Sequence, residues 1–240
     1  MRRVLVTGGG SGIGRAIARA FAEQGDEVTI SGRRADALLE TAKGFAMHCM
    51  TADVTQEDQV AALFDDTPYD VVIANAGAGK ASKVANTSLE DWNATMAVTL
   101  TGVFLTFRAA VADMPEGGRL IAIGSTASLK GGANIASYAA AKHGVLGLVR
   151  SLALEMAGRN ITCNAICPGY VDTGMAEAAI SGIMKRFGVG HEEALARVTA
   201  GNPMGRLIDP GEVAAAALYL ASPAASSVNG HALALSGGEI

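Results

Sequence analysis

The feature that most limits what this chain can become is an alternation of short, nearly continuous apolar runs with longer amphipathic stretches. Seven runs, at residues 4–7, 27–31, 45–50, 70–74, 119–124, 161–166 and 232–235, are too continuous for half-exposed strands and read as strands buried on both faces. Between them, residues 13–24, 35–42, 56–64, 89–112, 137–157 and 210–221 carry helical periodicity, the last with Pro210 just inside its start. Strands that alternate with helices and cross over right-handedly build a parallel sheet covered on both faces, so the expected class is α/β, doubly wound, with about seven strands. At 240 residues, half of them hydrophobic, the chain fits one domain over 1–240. Residues 175–208 show no clear strand and are expected to form a lid over the substrate.

In such a sheet ligands bind beyond the carboxyl ends of the strands, where the strand order reverses, so chemistry is sought just after each strand. Directly after the first run comes Thr7-Gly8-Gly9-Gly10-Ser11-Gly12-Ile13-Gly14, followed by a helix. Gly8, Gly10, Gly12 and Gly14 allow a sharp turn and a close backbone approach, and the free N–H groups at Ser11 and Ile13 with the helix dipole favour a pyrophosphate. The spacing is G-x-x-x-G-x-G rather than G-x-G-x-x-G, and a tight turn that binds nothing is the alternative.

At the end of the second run, where a carboxylate would bond a ribose 2′-OH, the chain reads Ser31-Gly32-Arg33-Arg34. Arg33, with Arg34 beside it, offers a fork of donors for a 2′-phosphate, which points to NADP(H) with NAD(H) as the other possibility. A solvated surface pair is the alternative for the two arginines. Arg15 adds positive charge near the phosphates.

At the reacting end, Ser125 follows the fifth run, and Tyr138 stands one helical turn before Lys142. Residues at i and i+4 share a helix face, so phenol and ammonium can point into one cleft. A neighbouring cation lowers a phenol's pKa from its usual value near 10 towards working pH. Ser125 would hold the substrate oxygen.

Net charge is −4 and the isoelectric point is about 5.6, with no cluster of Lys and Arg, so nucleic acid is not an expected partner. The first apolar run ends at Gly8, too short for a signal segment or a span, so no membrane association is expected. Cys49, Cys163 and Cys167 lack metal-ligand spacing and are expected to be buried free thiols in a reducing compartment, the cytoplasm, with no metal site.

Together the glycine turn, Asn75-Ala76-Gly77, Ser125, Tyr138, Lys142 and Pro168-Gly169 resemble the short-chain dehydrogenase/reductase pattern over essentially the whole chain. Pro203-Met204-Gly205-Arg206, Glu212-Val213-Ala214 and Ser236-Gly237-Gly238 fit it too. The resemblance implies a Rossmann-type NAD(P)-binding domain in which Asp53 and Val54 flank the adenine. Asn75, Ala76 and Gly77 would line the cofactor cleft, and Pro168, Gly169, Val171 and Thr173 would reach the nicotinamide end. It further implies that Tyr138 is the general acid-base, Ser125 the substrate-oxygen partner, and Lys142 both a ribose ligand and the tuner of the phenol.

Three positions depart from the pattern. Thr99 stands where the family carries an Asn that helps hold a water chain reaching the lysine, Ala74 replaces the first Asn of Asn-Asn-Ala-Gly, and Ser236 replaces an Asp. The chain most resembles 3-oxoacyl thioester reductases and polyketide ketoreductases. Of the two basic positions by which fatty-acid-synthesis members meet acyl carrier protein, Arg159 matches one and Glu116 stands at the other. A 3-oxoacyl thioester on CoA or carrier protein is therefore the expected substrate. A small ketone, sugar or cyclic alcohol, an NAD-linked alcohol dehydrogenase, and an NADP-binding regulator with little catalysis are the alternatives. Resemblance also implies a homotetramer, or a dimer, packed through the long helices that begin near Leu89 and Ser137.

Overall fold

A computed structural model describes residues 1–64 and 68–240. Its sheet has seven parallel strands in the order β3-β2-β1-β4-β5-β6-β7. These are β1 (Arg3–Thr7), β2 (Glu27–Gly32), β3 (Met47–Thr51), β4 (Val71–Ala74), β5 (Arg119–Ile123), β6 (Thr162–Pro168) and β7 (Ala232–Leu235). The order reverses between β1 and β4, which opens a crevice beyond their carboxyl ends.

Alternate residues of the central strands feed two cores. On one face Val4, Val6, Val71 and Ile73 pack with Ile17 and Phe21 of α1 (Gly12–Glu23) and with Val213, Ala217 and Leu220 of α9 (Pro210–Leu220). On the other, Leu5, Val72 and Ala74 pack with Val103 and Phe107 of α5 (Gly102–Asp113) and Val145 and Val149 of α6 (Ala136–Met156). Helix α2 (Ala35–Ala42) follows β2, and α3 (Glu57–Ala61) follows β3.

Burial on both faces holds for the inner strands but not for β3, whose His48, Cys49 and Thr51 are exposed, nor for β7, whose residues are half-buried. Both are edge strands with a neighbour on one side only. Cys49 is accordingly an exposed thiol, whereas Cys163 and Cys167 are buried as expected.

The long helix expected at 89–112 is continuous but not uniform: α4 (Leu89–Met96) passes through a π-helical turn at Ala97–Thr101 into α5. The combined stretch Leu89–Asp113 is apolar and long enough to span a bilayer by composition. Buried Val103, Leu105, Phe107 and Ala110 make it a core helix of this fold. The stretch 175–208, where no strand is expected, carries α7 (Gly174–Phe187) and α8 (His191–Thr199), joined by a small core of Ile180, Ala194 and Val198.

Candidate active site

The glycine turn sits at the β1/β4 crevice. Gly8 adopts φ +65°, a conformation side chains disfavour, and a β-carbon on Gly14 would come within 2.5 Å of Asn75 Nδ2. Asn75 explains the closeness: its Nδ2 donates to the carbonyls of Thr7 (2.9 Å) and Gly8 (3.1 Å), and its amide donates to Thr7 Oγ1 (3.1 Å). Asn75 thus braces the turn, with its amide group spent on the backbone. Arg15 does the same from the other side, through Gly10 O (2.8 Å) and Thr41 Oγ1 (3.0 Å), which anchors the turn and fixes a positive charge beside it.

At the start of α1 no side chain caps the helix: Ser11 makes no capping hydrogen bond and the first turn carries no acid. These open N–H groups and the β-carbon-free cradle at Gly10 and Gly12 suit the pyrophosphate of a dinucleotide. Ile13 turns its side chain to the core and offers only its backbone. Arg33 and Arg34 are exposed beyond β2, and among the described residues no carboxylate pairs with either.

Asp53 Oδ1 accepts from the amide and hydroxyl of Thr55, both at 2.9 Å, which fixes the bend after β3. Val54 is buried against Val60 and Leu105, so only its backbone faces the crevice side. Ala76 packs partly on that same cluster. At the far end Pro168 pairs with Leu235, Gly169 donates to Leu235 O (3.0 Å), and Val171 is buried where it bridges to Ile208. This path returns Thr173 to the glycine turn, where its methyl group would lie 3.0 Å from a β-carbon on Gly12.

Ser125, Tyr138 and Lys142 converge beside this crevice. Ser125 caps a short 3-10 turn, its Oγ accepting from Ala127 N (3.1 Å) while its own amide donates to Ser128 Oγ (3.2 Å). The Tyr138 side chain is half-buried, and desolvation pushes the phenol's pKa above its ordinary value, with the Ser125 hydroxyl pulling the other way and Tyr170 and Cys167 adding to the rise. Lys142 is buried. Its Nζ donates to Ile123 O at 2.6 Å and lies 5.6 Å from the Tyr138 ring centre. Burial lowers its pKa to about 8, partly opposed by the Cys167 thiol.

In the protein alone the phenol's shift runs upward, opposite to the lowering expected from Lys142, because burial is its largest cause. The lysine is aimed at a carbonyl oxygen of β5, and burial dominates at the hydroxyl. A phenol held protonated is a proton donor, the form needed to deliver a proton to a developing alkoxide.

Thr99 is also relocated in role. Fully buried on the π turn, its hydroxyl donates to Ala78 O (2.7 Å) and accepts from Ala78 N (3.2 Å). Its one donor and one of its two acceptor lone pairs go to the Ala78 backbone, so Thr99 is a backbone clamp with a single acceptor site left for a water. It remains near the site: a β-carbon on Gly77 would lie 3.6 Å from Lys142 Nζ and 3.7 Å from Thr99 Oγ1.

Sequence reasoning passed over three residues. Gly79 lies flat against Tyr138, where a β-carbon would come within 2.6 Å of the ring. Ser128 holds the Ser125 amide, and the Ser-x-x-Ser spacing is a capping signal that could have revealed it. Cys167 stands behind Gly124, close enough to bear on both Tyr138 and Lys142. Ser236 is buried near the end of the sheet, and its Oγ makes two long contacts of 3.4 Å with the backbone of Ile240.

Residues 8–239 match the family described as Enoyl-(Acyl carrier protein) reductase. A putative ketoacyl reductase of Streptomyces coelicolor is 37% identical, over 98% of this chain and 95% of the relative. The 3-oxoacyl-[acyl-carrier-protein] reductase FabG of Vibrio cholerae is 35% identical over 98% and 95%. A D-beta-hydroxybutyrate dehydrogenase of Rhizobium meliloti is 33% identical over 99% and 98%. Among solved structures, a single-substitution variant of actinorhodin polyketide ketoreductase with NADPH superposes with a TM-score of 0.93 at 35% identity, covering 99% of this chain and 97% of that one. With the sheet order, the glycine turn and the Ser125, Tyr138 and Lys142 cluster in place, the chain belongs to the short-chain dehydrogenase/reductase family and is an oxidoreductase acting on CH–OH groups with NAD(P).

Proposed function

We propose that this enzyme is an NADPH-dependent reductase of 3-oxoacyl thioesters, carried by CoA. The observation that carries the reading is the convergence of three groups at the sheet's carboxyl end: the Tyr138 phenol beside the Ser125 hydroxyl, with Lys142 Nζ 5.6 Å from the Tyr138 ring centre. When bound, the nicotinamide supplies the hydride. Ser125 would orient the substrate carbonyl, Tyr138 would donate the proton as charge develops on oxygen, and Lys142 would hold the nicotinamide ribose with donors not engaged by Ile123 O.

NADP(H) preference is supported by the exposed Arg33 and Arg34 at the end of β2, where an NAD site would present an acid. CoA rather than a carrier protein is supported by Glu116, a carboxylate that accepts from Asn160 Nδ2 at 2.7 Å where the second cation would stand. This leaves exposed Arg159, donating to the carbonyls of Val111 and Met114, as the one basic group of the pair.

Loss of NADPH absorbance with acetoacetyl-CoA tests the reading, alongside a panel of ketones and alcohols with both cofactors. Turnover of 3-hydroxybutyrate with NAD and none of the thioester would favour the short hydroxy-acid reading that the Rhizobium relative suggests. No turnover of anything, with tight NADPH binding, would favour a regulator.

Assembly as a homotetramer is supported by half-exposed Trp92 and Phe104 and by exposed Leu89 and Leu154 on α4, α5 and α6, and light scattering checks it. A cytoplasmic site is consistent with three unpaired thiols.

A further inference from the structure

The loop between the two reacting side chains is weakly anchored. From Leu129 to Asn134 it contains Gly131 and Gly132, is largely exposed, and is held by Leu129 and Lys130 amides on Thr126 O (both 3.0 Å) and by the Ser82 amide on Asn134 O (2.7 Å). One side-chain contact ties it to a distant part of the chain: Lys130 Nζ lies 2.9 Å from Glu239 Oε1.

Glu239 is unusually placed for a carboxylate near the surface, with only 16% of its side chain exposed against 43% for Lys130. Two glycines make room for it. A β-carbon on Gly169, in the turn after β6, would come within 3.1 Å of Glu239 Oε2, and one on Gly201, just after α8, within 3.4 Å of Oε1. The neighbouring tail is interlocked with the same segment, since Gly237 faces Asn202 and Gly238 faces Pro203, both glycines with positive φ. Asn202 is in turn fixed by the Met204 amide (2.9 Å) and by Arg206 O (2.8 Å).

Three segments that border the carboxyl end of the sheet therefore meet at one carboxylate: the loop joining Ser125 to Tyr138, the turn after β6, and the end of the α7–α8 pair. We infer that Glu239 is a positioning residue of the substrate cleft, which through Lys130 sets the Ser125–Tyr138 loop against the α7–α8 pair. This rests on the catalytic roles proposed above. The glycine turn and Arg33 lie on other segments, and of the proposed cofactor contacts only Gly169 borders the carboxylate. The ion pair should therefore act more on how the carbonyl substrate is received than on dinucleotide binding.

The test has one arm that needs no turnover. Amide hydrogen exchange on the full chain should quicken at residues 129–134 in Glu239→Gln and at residues 200–203 in Lys130→Gln, each change felt across the ion pair. In the kinetic arm, either substitution should raise the KM for acetoacetyl-CoA about two- to fivefold, the effect of losing a partly exposed ion pair, and the KM for NADPH by less. The charge-swapped K130E/E239K protein should recover most of that loss, beyond the sum of the single reversals. Unaltered exchange across the pair would overturn the inference even if the enzyme proves to reduce another substrate. A swapped protein no better than the sum of its singles would overturn it too. A wild type that turns over no carbonyl compound, with exchange coupled as expected, would overturn the proposed reaction and leave the tie standing.

Discussion

Thr99 grips the backbone of Ala78 at both ends, donating to its carbonyl at 2.7 Å and accepting from its amide at 3.2 Å. Because Ala78 leads into Gly79, which lies on the Tyr138 ring, the clamp sets the surface against which the phenol rests. Thr99→Val keeps the shape and strands the Ala78 N–H and C=O. Thermal and denaturant unfolding should show a loss of ~1–3 kcal/mol, with kcat reduced, while Thr99→Ser keeps both close to wild type. A valine protein with full activity would show that the clamp is dispensable.

Removing the phenolic hydroxyl alone should separate chemistry from binding. Tyr138→Phe is expected to lower kcat by about 10²–10⁴, the usual contribution of a positioned acid, while fluorescence titration finds NADPH bound as tightly as before.

Lys142 should leave a signature in stability as well as in rate. Its folded-state pKa of about 8 lies below the ordinary 10.5, so between those values the folded chain holds fewer protons than the unfolded one. Its contribution to stability is therefore unfavourable below pH 8 and grows more favourable as pH rises to 10.5. Relative to Lys142→Met, the wild type should gain up to ~3 kcal/mol across that interval, measured by urea unfolding at a series of pH values. Taking the difference cancels the opposite trend from buried Tyr138 and Cys163, whose pKa values are raised. A flat difference would mean that the ammonium is not desolvated.

The proposed NADP(H) preference can be tested at Arg33. Arg33→Ser should weaken NADPH about 10- to 100-fold, as expected for charge-assisted hydrogen bonds to a phosphate, and change NADH little. Equal losses for the two cofactors in calorimetry would argue against a 2′-phosphate contact.

Much of this architecture was legible because the inner strands are buried on both faces: the runs at Val4–Val6, Val71–Ala74 and Leu120–Ile123 are continuous for that reason. An apolar run does not reveal its place in the sheet order, so the exposure of His48 and Cys49 on the β3 edge could not be read from it. The glycine turn and the Tyr138–Lys142 spacing were legible because each is local, set by one turn of backbone. What escaped were relationships between distant segments. Thr99 with Ala78, Asn75 with Gly8 and Lys142 with Ile123 each depend on which strand ends the fold brings together, and so does the direction in which Tyr138 is tuned.

Sulfur at Cys49 sits on the outer strand of the sheet, while Cys163 and Cys167 are closed inside it. A thiol-directed dye applied to the native protein would thus mark one rim position and spare the sulfur behind Tyr138. That offers a labelling point for following ligand binding or assembly without substituting any cysteine.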